Sequence, residues 1–310
     1  MRPSLGLALA VLLAALPANA YVRSRTPHGT ATSWRSSCAI VQPDSGGTPD
    51  LGNDVTFATI HSSMQAWRDA VQGCAYLTLT YVDPAPLEAH YDGLNVIKFR
   101  TDKWCHPDDS QSSDVCYSTV AAAITTVFYV DSPGSSNDGT LLDTDVELND
   151  INFTFQVVDP AAPLSMTPRS GTSIADLENT LVHELGHLQG LDHTCKDSAT
   201  PSWEVDDSGN PPPACSAVGT LPAAELDRIV NATMYNSATP GETKKRTPET
   251  DDVAGICAAY PLARAPSSCK AANISGYGKG CSYSDRGELP RSLAVLLVAL
   301  AIVALRRRNA

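Results

Sequence analysis

The chain has 310 residues, 43% of them hydrophobic, and carries 22 basic against 34 acidic side chains for a formal net charge of −12. That length and apolar content suffice to bury the core of one main domain. An acidic body lacks the clustered Lys and Arg that phosphate binding requires, which argues against nucleic acid as a partner.

In chain order, MRPSLGLALAVLLAALPANA places one Arg before an apolar run that ends in the small-residue pattern Ala18-Asn19-Ala20. This is the pattern of a secretory signal peptide over 1–20, with cleavage expected before Tyr21. Nine cysteines, at 38, 74, 105, 116, 195, 215, 257, 269 and 281, suit an exported chain. Proximity suggests Cys38–Cys74, Cys105–Cys116, Cys195–Cys215 and Cys257–Cys269 and leaves Cys281 over, although spacing alone fixes no pairing.

A single domain is expected over 21–260. WRSSCAIV (Trp34–Val41) reads as a first strand. Phe57, Ile60, Met64, Trp67 and Val71 recur every three or four residues, the spacing of an amphipathic helix. AYLTLTYVD (Ala75–Asp83) alternates with the period of a strand, and Leu94–Arg100 is a third strand. Ala121–Val130 and Leu141–Asn149 follow, joined by the turn-rich SPGSSNDG. Ser173–Gly190 reads as the second helix and Glu249–Tyr260 as the third, with Thr247 or Thr250 as its N-cap. The long stretch between Thr194 and Arg246, with Pro211-Pro212-Pro213, reads as irregular chain wrapped around the site. The order predicts an α+β fold: a twisted, mixed, five-stranded sheet with three main helices, the functional motif lying on the second. A linker over 261–280 leads to the tail.

That motif is LVHELGHLQGLDH, Leu181 to His193. His183 and His187 are four apart and share one face of a helix, while Ile174, Leu177, Leu181, Leu185 and Leu188 mark the opposite, core-facing stripe. Gly190 tolerates the left-handed turn that ends a helix, which would bring His193 round to a third position on one ion. Three imidazoles leave a tetrahedral zinc one open place, as at catalytic sites. Glu184 is placed to reach a water on that open side as general base.

The pattern His-Glu-x-x-His-x-x-Gly-x-x-His resembles the signature of the metzincin zinc metalloproteases, in arrangement the matrixin-like branch, over roughly Trp34 to Tyr260. The resemblance implies a metzincin-like catalytic domain with one catalytic Zn(2+) on His183, His187 and His193. It also implies a methionine in a tight turn beneath the metal, which ATMYNS supplies as Met234. Asn236 stands where some metzincins have a tyrosine ligand, so no tyrosine ligand is expected. By the same resemblance, protein or peptide substrates lie extended against Ala121–Val130, with selectivity set near Tyr235 to Pro240. The family's cysteine-bearing propeptide finds no room between Tyr21 and Trp34. A second, structural zinc set is missing too, and His90, Asp92 and His106, its nearest candidates, read as surface residues. His28 and His61 read as ordinary surface or helix histidines. Asp143, Asp145 and Glu147, with Asn149 and Asp150 beside them, offer oxygen ligands suited to Ca(2+), or else form a solvated strand end.

From Gly280 the chain runs through Cys281, a polar spacer, an apolar run over 292–305 and Arg306-Arg307-Arg308. The run is short of the ~20 residues a spanning helix needs. The tail, 281–310, is similar to MYXO-CTERM sorting tails of exported bacterial proteins, which implies Cys281 as the sorting cysteine and membrane contact only before processing. A plain single-span anchor is the alternative. The expectation is thus an exported monomeric endopeptidase, surface-attached or released. Its rivals are an inactive zinc-containing recognition or adhesion module, for which Glu184 would be dispensable, and a hydrolase of non-peptide bonds.

Overall fold

The computed structural model describes residues 20–107, 114–162, 167–197, 203–206, 208–271 and 279–283. The expected signal peptide, up to residue 19, and the apolar run of the tail therefore lie outside the described residues. In chain order the elements are β1 (Val22–Arg23), β2 (Cys38–Pro43), α1 (Asn53–Val71), β3 (Thr78–Tyr81), β4 (Asn95–Arg100), β5 (Cys105–His106), β6 (Val115–Cys116), β7 (Ala123–Val130) and β8 (Leu141–Asn149). Then come β9 (Phe153–Gln156), β10 (Ser173–Asp176), α2 (Leu177–Leu188), β11 (Leu191–Asp192), α3 (Ala223–Asn231), α4 (Thr250–Ala259) and β12 (Lys279–Tyr283).

The five expected strands form one mixed sheet, and β12 adds a sixth, in the order β12-β7-β8-β4-β2-β3. β3, β2, β4 and β8 run parallel to one another, while β7 is antiparallel to β8 and β12 antiparallel to β7. The fold class is thus α+β with a mixed sheet, as the order of elements predicts.

The core lies between this sheet and the pair α1 and α2. Ile60, Met64, Trp67 and Val71 on α1 meet Leu177, Leu181, Leu185 and Leu188 on α2, with Val146 and Leu148 of β8 beneath. Each such side chain contributes about 1.5–3 kcal/mol by leaving water. Trp67 also donates its indole N–H to the Val182 carbonyl at 2.7 Å, which fixes the two helices against each other. β7 and β8 are buried at every position, so both faces of that end of the sheet are covered.

Three expectations about the helices need correction. The second helix begins at Leu177, because Asp176 caps it by accepting from the Asn179 amide at 2.8 Å, and Ser173–Asp176 instead pairs in parallel with β9. The third helix is preceded by Glu249, which makes no side-chain cap, in place of either threonine. The stretch from Thr194 to Arg246 holds a helix, α3, whose Ile229 packs with Val218 and Cys195 into a small second core.

Cys105–Cys116 and Cys195–Cys215 are bonded as expected, but Cys38 pairs with Cys269 and Cys74 with Cys257. The reason is tertiary. α4 packs on α1, bringing Cys257 to Cys74, three residues beyond the end of that helix. The chain then returns beside the start of β2, where the Ser37 amide donates to Ser268 at 3.3 Å. Four disulfides are compatible with an extracellular, oxidising location.

Candidate metal centre

α2 ends where the sequence predicts. Gly190 takes φ +91°, and a side chain there would meet the Thr32 carbonyl at 3.0 Å. Its amide donates to His187 O at 2.8 Å, closing the turn that carries the chain through β11 to His193. Pairing of β11 with β1 then holds that return segment in place.

The three histidines come together. His193 Nε2 lies 3.2 Å from His183 Nε2 and 3.1 Å from His187 Nε2, and all three rings are buried. His183 Nδ1 donates to the Thr233 carbonyl at 2.6 Å, and His187 Nδ1 donates to the Leu191 carbonyl at 3.0 Å. A carbonyl can only accept, so both rings carry their proton on Nδ1 and turn an Nε2 lone pair inward. Burial pushes the His187 imidazole down to about 4, and it drives His183 and His193 well below the ordinary value, with Lys245 and the neighbouring rings adding to it. Neutral imidazoles are the ligand form. Zinc at about 2.0–2.1 Å from each Nε2 would set the three nitrogens roughly 3.3 Å apart, close to the spacing found here. The residues fit a metal ion. They are also the one group of three or more His, Cys, Asp or Glu among the described residues whose ligand atoms converge in this way.

Glu184 is buried at the edge of this cluster. Its Oε2 accepts from the Thr125 hydroxyl of β7 at 2.6 Å. Burial raises its carboxyl to about 7, against the opposing pull of that hydrogen bond and of the Lys245 charge. His183 and Glu184 open onto a cleft of about 580 Å³ between the start of β7, including Ala121 to Ala123, and the segment Asn236 to Pro240.

Met234 lies beneath α2, fully buried, in a turn closed by the Tyr235 amide donating to Ala232 at 3.1 Å. Gly186 permits this approach: a Cβ there would sit 2.3 Å from Met234 Sδ and 3.2 Å from Trp67. The Asp252 carboxylate of α4 accepts from the Thr233 amide at 2.6 Å and so holds the carbonyl that orients His183. Lys245 is buried beside the turn, donating from Nζ to the Tyr235 carbonyl.

Thr125, Asp252 and Lys245 went unread in the sequence. Each reaches the site from a distant segment and carries no local spacing signal.

The outer face of β8 divides. Glu147 is consumed internally: its carboxylate receives Arg100, His106 Nδ1 at 2.8 Å and the Tyr117 hydroxyl at 2.9 Å. Burial alone would raise Glu147, yet the His106 hydrogen bond and the Arg100 charge hold it below the usual carboxylate range. His106 is therefore buried, contrary to the surface reading, because it completes this network, while Asp92 is exposed and His90 half-buried. Asn149 donates to the Ala121 carbonyl at 2.8 Å, and Asp150 pairs with Arg169 at 3.2 Å. Asp143 and Asp145 differ. One oxygen of Asp143 accepts from the Asp92 and Gly93 amides at 2.8 and 2.7 Å, and one oxygen of Asp145 accepts from Val96 at 2.8 Å. Their other oxygens, and the neighbouring Thr126 hydroxyl, are buried without a hydrogen-bond partner. Burial raises the Asp143 carboxyl to about 7, and burial plus the Asp143 charge raises Asp145 well above the ordinary value. His28 and His61 are exposed, and Cys281 lies in β12.

Fold and site together define an α+β protein with a buried three-histidine group able to hold a metal ion. No protein-family model matches the chain, and no curated protein matches it.

Proposed function

We propose that the protein is an exported zinc-dependent endopeptidase of metzincin, matrixin-like type, acting as a monomer on protein or peptide substrates. The observation that carries this is the pairing of three inward-facing Nε2 atoms with a buried glutamate at the same cleft. His183, His187 and His193 would hold the ion. When bound, zinc supplies a Lewis acid and brings the pKa of a coordinated water to about 7.

The protein's own groups do the rest. Glu184 takes a proton from the attacking water as the water oxygen bonds to the carbonyl carbon. It returns that proton to the amide nitrogen as the C–N bond breaks, so one water is consumed per bond cut. The Thr125 hydroxyl orients the carboxylate, and burial keeps its proton affinity near that of the water it must deprotonate. An extended substrate would lie along the edge of β7, held by main-chain hydrogen bonds, with side-chain preference set at Asn236 to Pro240. Calcium is a second proposed ligand, narrowed to Asp143 and Asp145, whose remaining oxygens have no internal partner. Cys281 is proposed as the sorting cysteine of a tail that attaches the protein to the cell surface or releases it.

The test is digestion of a mixed peptide library, read by mass spectrometry, beside Glu184→Gln. The wild type should cut, and the variant should bind equal zinc while losing on the order of 10²–10⁴ in rate. Equal cleavage by both would sink the role of Glu184. Zinc binding without cleavage by either would favour a recognition module.

A further inference from the structure

The edge of β7 that a substrate would use is already paired. β12 lies antiparallel along it, with Lys279 opposite Val130, Gly280 opposite Tyr129, Cys281 opposite Phe128, Ser282 opposite Val127 and Tyr283 opposite Thr126. The next residue of β7, Thr125, holds the Glu184 carboxylate. The tail therefore enters at the far end of β7 and runs toward the general base. A strand edge accepts one partner at a time, because each outward N–H and C=O can be used once. On the protease reading, which this inference rests on, β12 stands where the part of a substrate on one side of the cleaved bond would lie. The cleft between Ala121–Ala123 and Asn236–Pro240 stays open on the other side.

The tether makes this occupancy effective. Cys269 is bonded to Cys38, and the Lys270 amide donates to Ser36 Oγ at 2.9 Å, so the tail starts from the β2 end of the sheet. Four strand spacings of about 4.8 Å separate β2 from β12, roughly 19 Å. Ten residues from Cys269 to Lys279 can reach about 33 Å. A short covalent link that spans the distance gives an effective concentration on the order of millimolar, whereas free substrates typically half-saturate between about 1 μM and 1 mM.

We propose that Lys279–Tyr283 is an intramolecular occupant of the substrate edge, which keeps the enzyme in a low-activity state until the tail leaves β7. Cys281, proposed for processing, lies at the middle of the strand, so cleavage there would break it and couple sorting to activation.

The test uses the full mature chain, 21–310, zinc-loaded and in detergent, beside Gly280→Pro/Tyr283→Pro. These two positions alternate in direction along the strand, so one substitution removes an N–H facing β7. Hydrogen exchange of the β7 amides from Thr126 to Val130 and hydrolysis of a quenched peptide are measured together. In the variant, the outward β7 amides should exchange at least ~10-fold faster. KM should fall several-fold at unchanged kcat, as when a closed fraction is opened. Equal exchange and equal KM in the two proteins would overturn the proposal, whatever the activity. A difference in exchange with no hydrolysis by either protein would leave the tail seated on β7 and count against the protease reading instead.

Discussion

Two buried clusters of ionisable groups sit on opposite sides of β8, and they balance differently. On the outer face, Glu147 collects Arg100, His106 and Tyr117, so each group of that network meets an opposite charge or a donor from the protein itself. On the helix side, His183, His187 and His193 converge through their Nε2 atoms, after His183 and His187 have given their Nδ1 protons to backbone carbonyls. The first cluster is closed and reads as structure. The second is arranged as a set of converging ligand atoms able to hold a cation, and it is the one that borders a cleft. Burial of ionisable groups therefore does not by itself mark a functional site, and ligand atoms converging at a cleft are the better guide.

This contrast can be broken in three ways. Chelation should act on the helix side alone. If free zinc stands about 1,000-fold above its dissociation constant, removing it costs about 4 kcal/mol of stability, a fall in Tm of roughly 8–16 °C for a domain of this size. His187→Ala should abolish the zinc response, as read by calorimetry with and without chelator. Arg100→Met should act on the outer face alone, costing about 3–5 kcal/mol because it leaves Glu147 buried with its main cation gone. Zinc content and peptide hydrolysis should be unchanged, and loss of zinc in that variant would show the two clusters to be one. Asp143 and Asp145 form an intermediate case, half answered by backbone amides. Calcium should raise Tm by a few degrees, on the order of 1 kcal/mol, and Asp145→Asn should remove that response in thermal melts.

What was legible in the sequence was what is local. The strand alternation, the spacing of the α1 stripe and the histidine motif each fit within one element, so periodicity revealed them. Gly190 and Met234 were also readable, one by its backbone freedom and the other through the family resemblance. The partners that set the chemistry were not. Thr125 meets Glu184 across 59 residues and Lys245 meets Asn179 across 66, contacts that only the packed fold creates. The disulfides divide the same way: the two short loops were found by proximity, while the pairs 231 and 183 residues apart needed the return of the chain past α4. The start of α2 failed for a different reason. Asp176 is a good N-cap, but the apolar residues before it continued the pattern and hid the boundary.

The most direct test of the metal centre is anomalous diffraction at the zinc edge from crystals of the zinc-loaded protein. The account predicts one peak about 2.0–2.1 Å from Nε2 of His183, His187 and His193, with its fourth position facing Glu184 and the cleft and held by no protein atom. A peak elsewhere, or a fourth protein ligand closing the site, would contradict it.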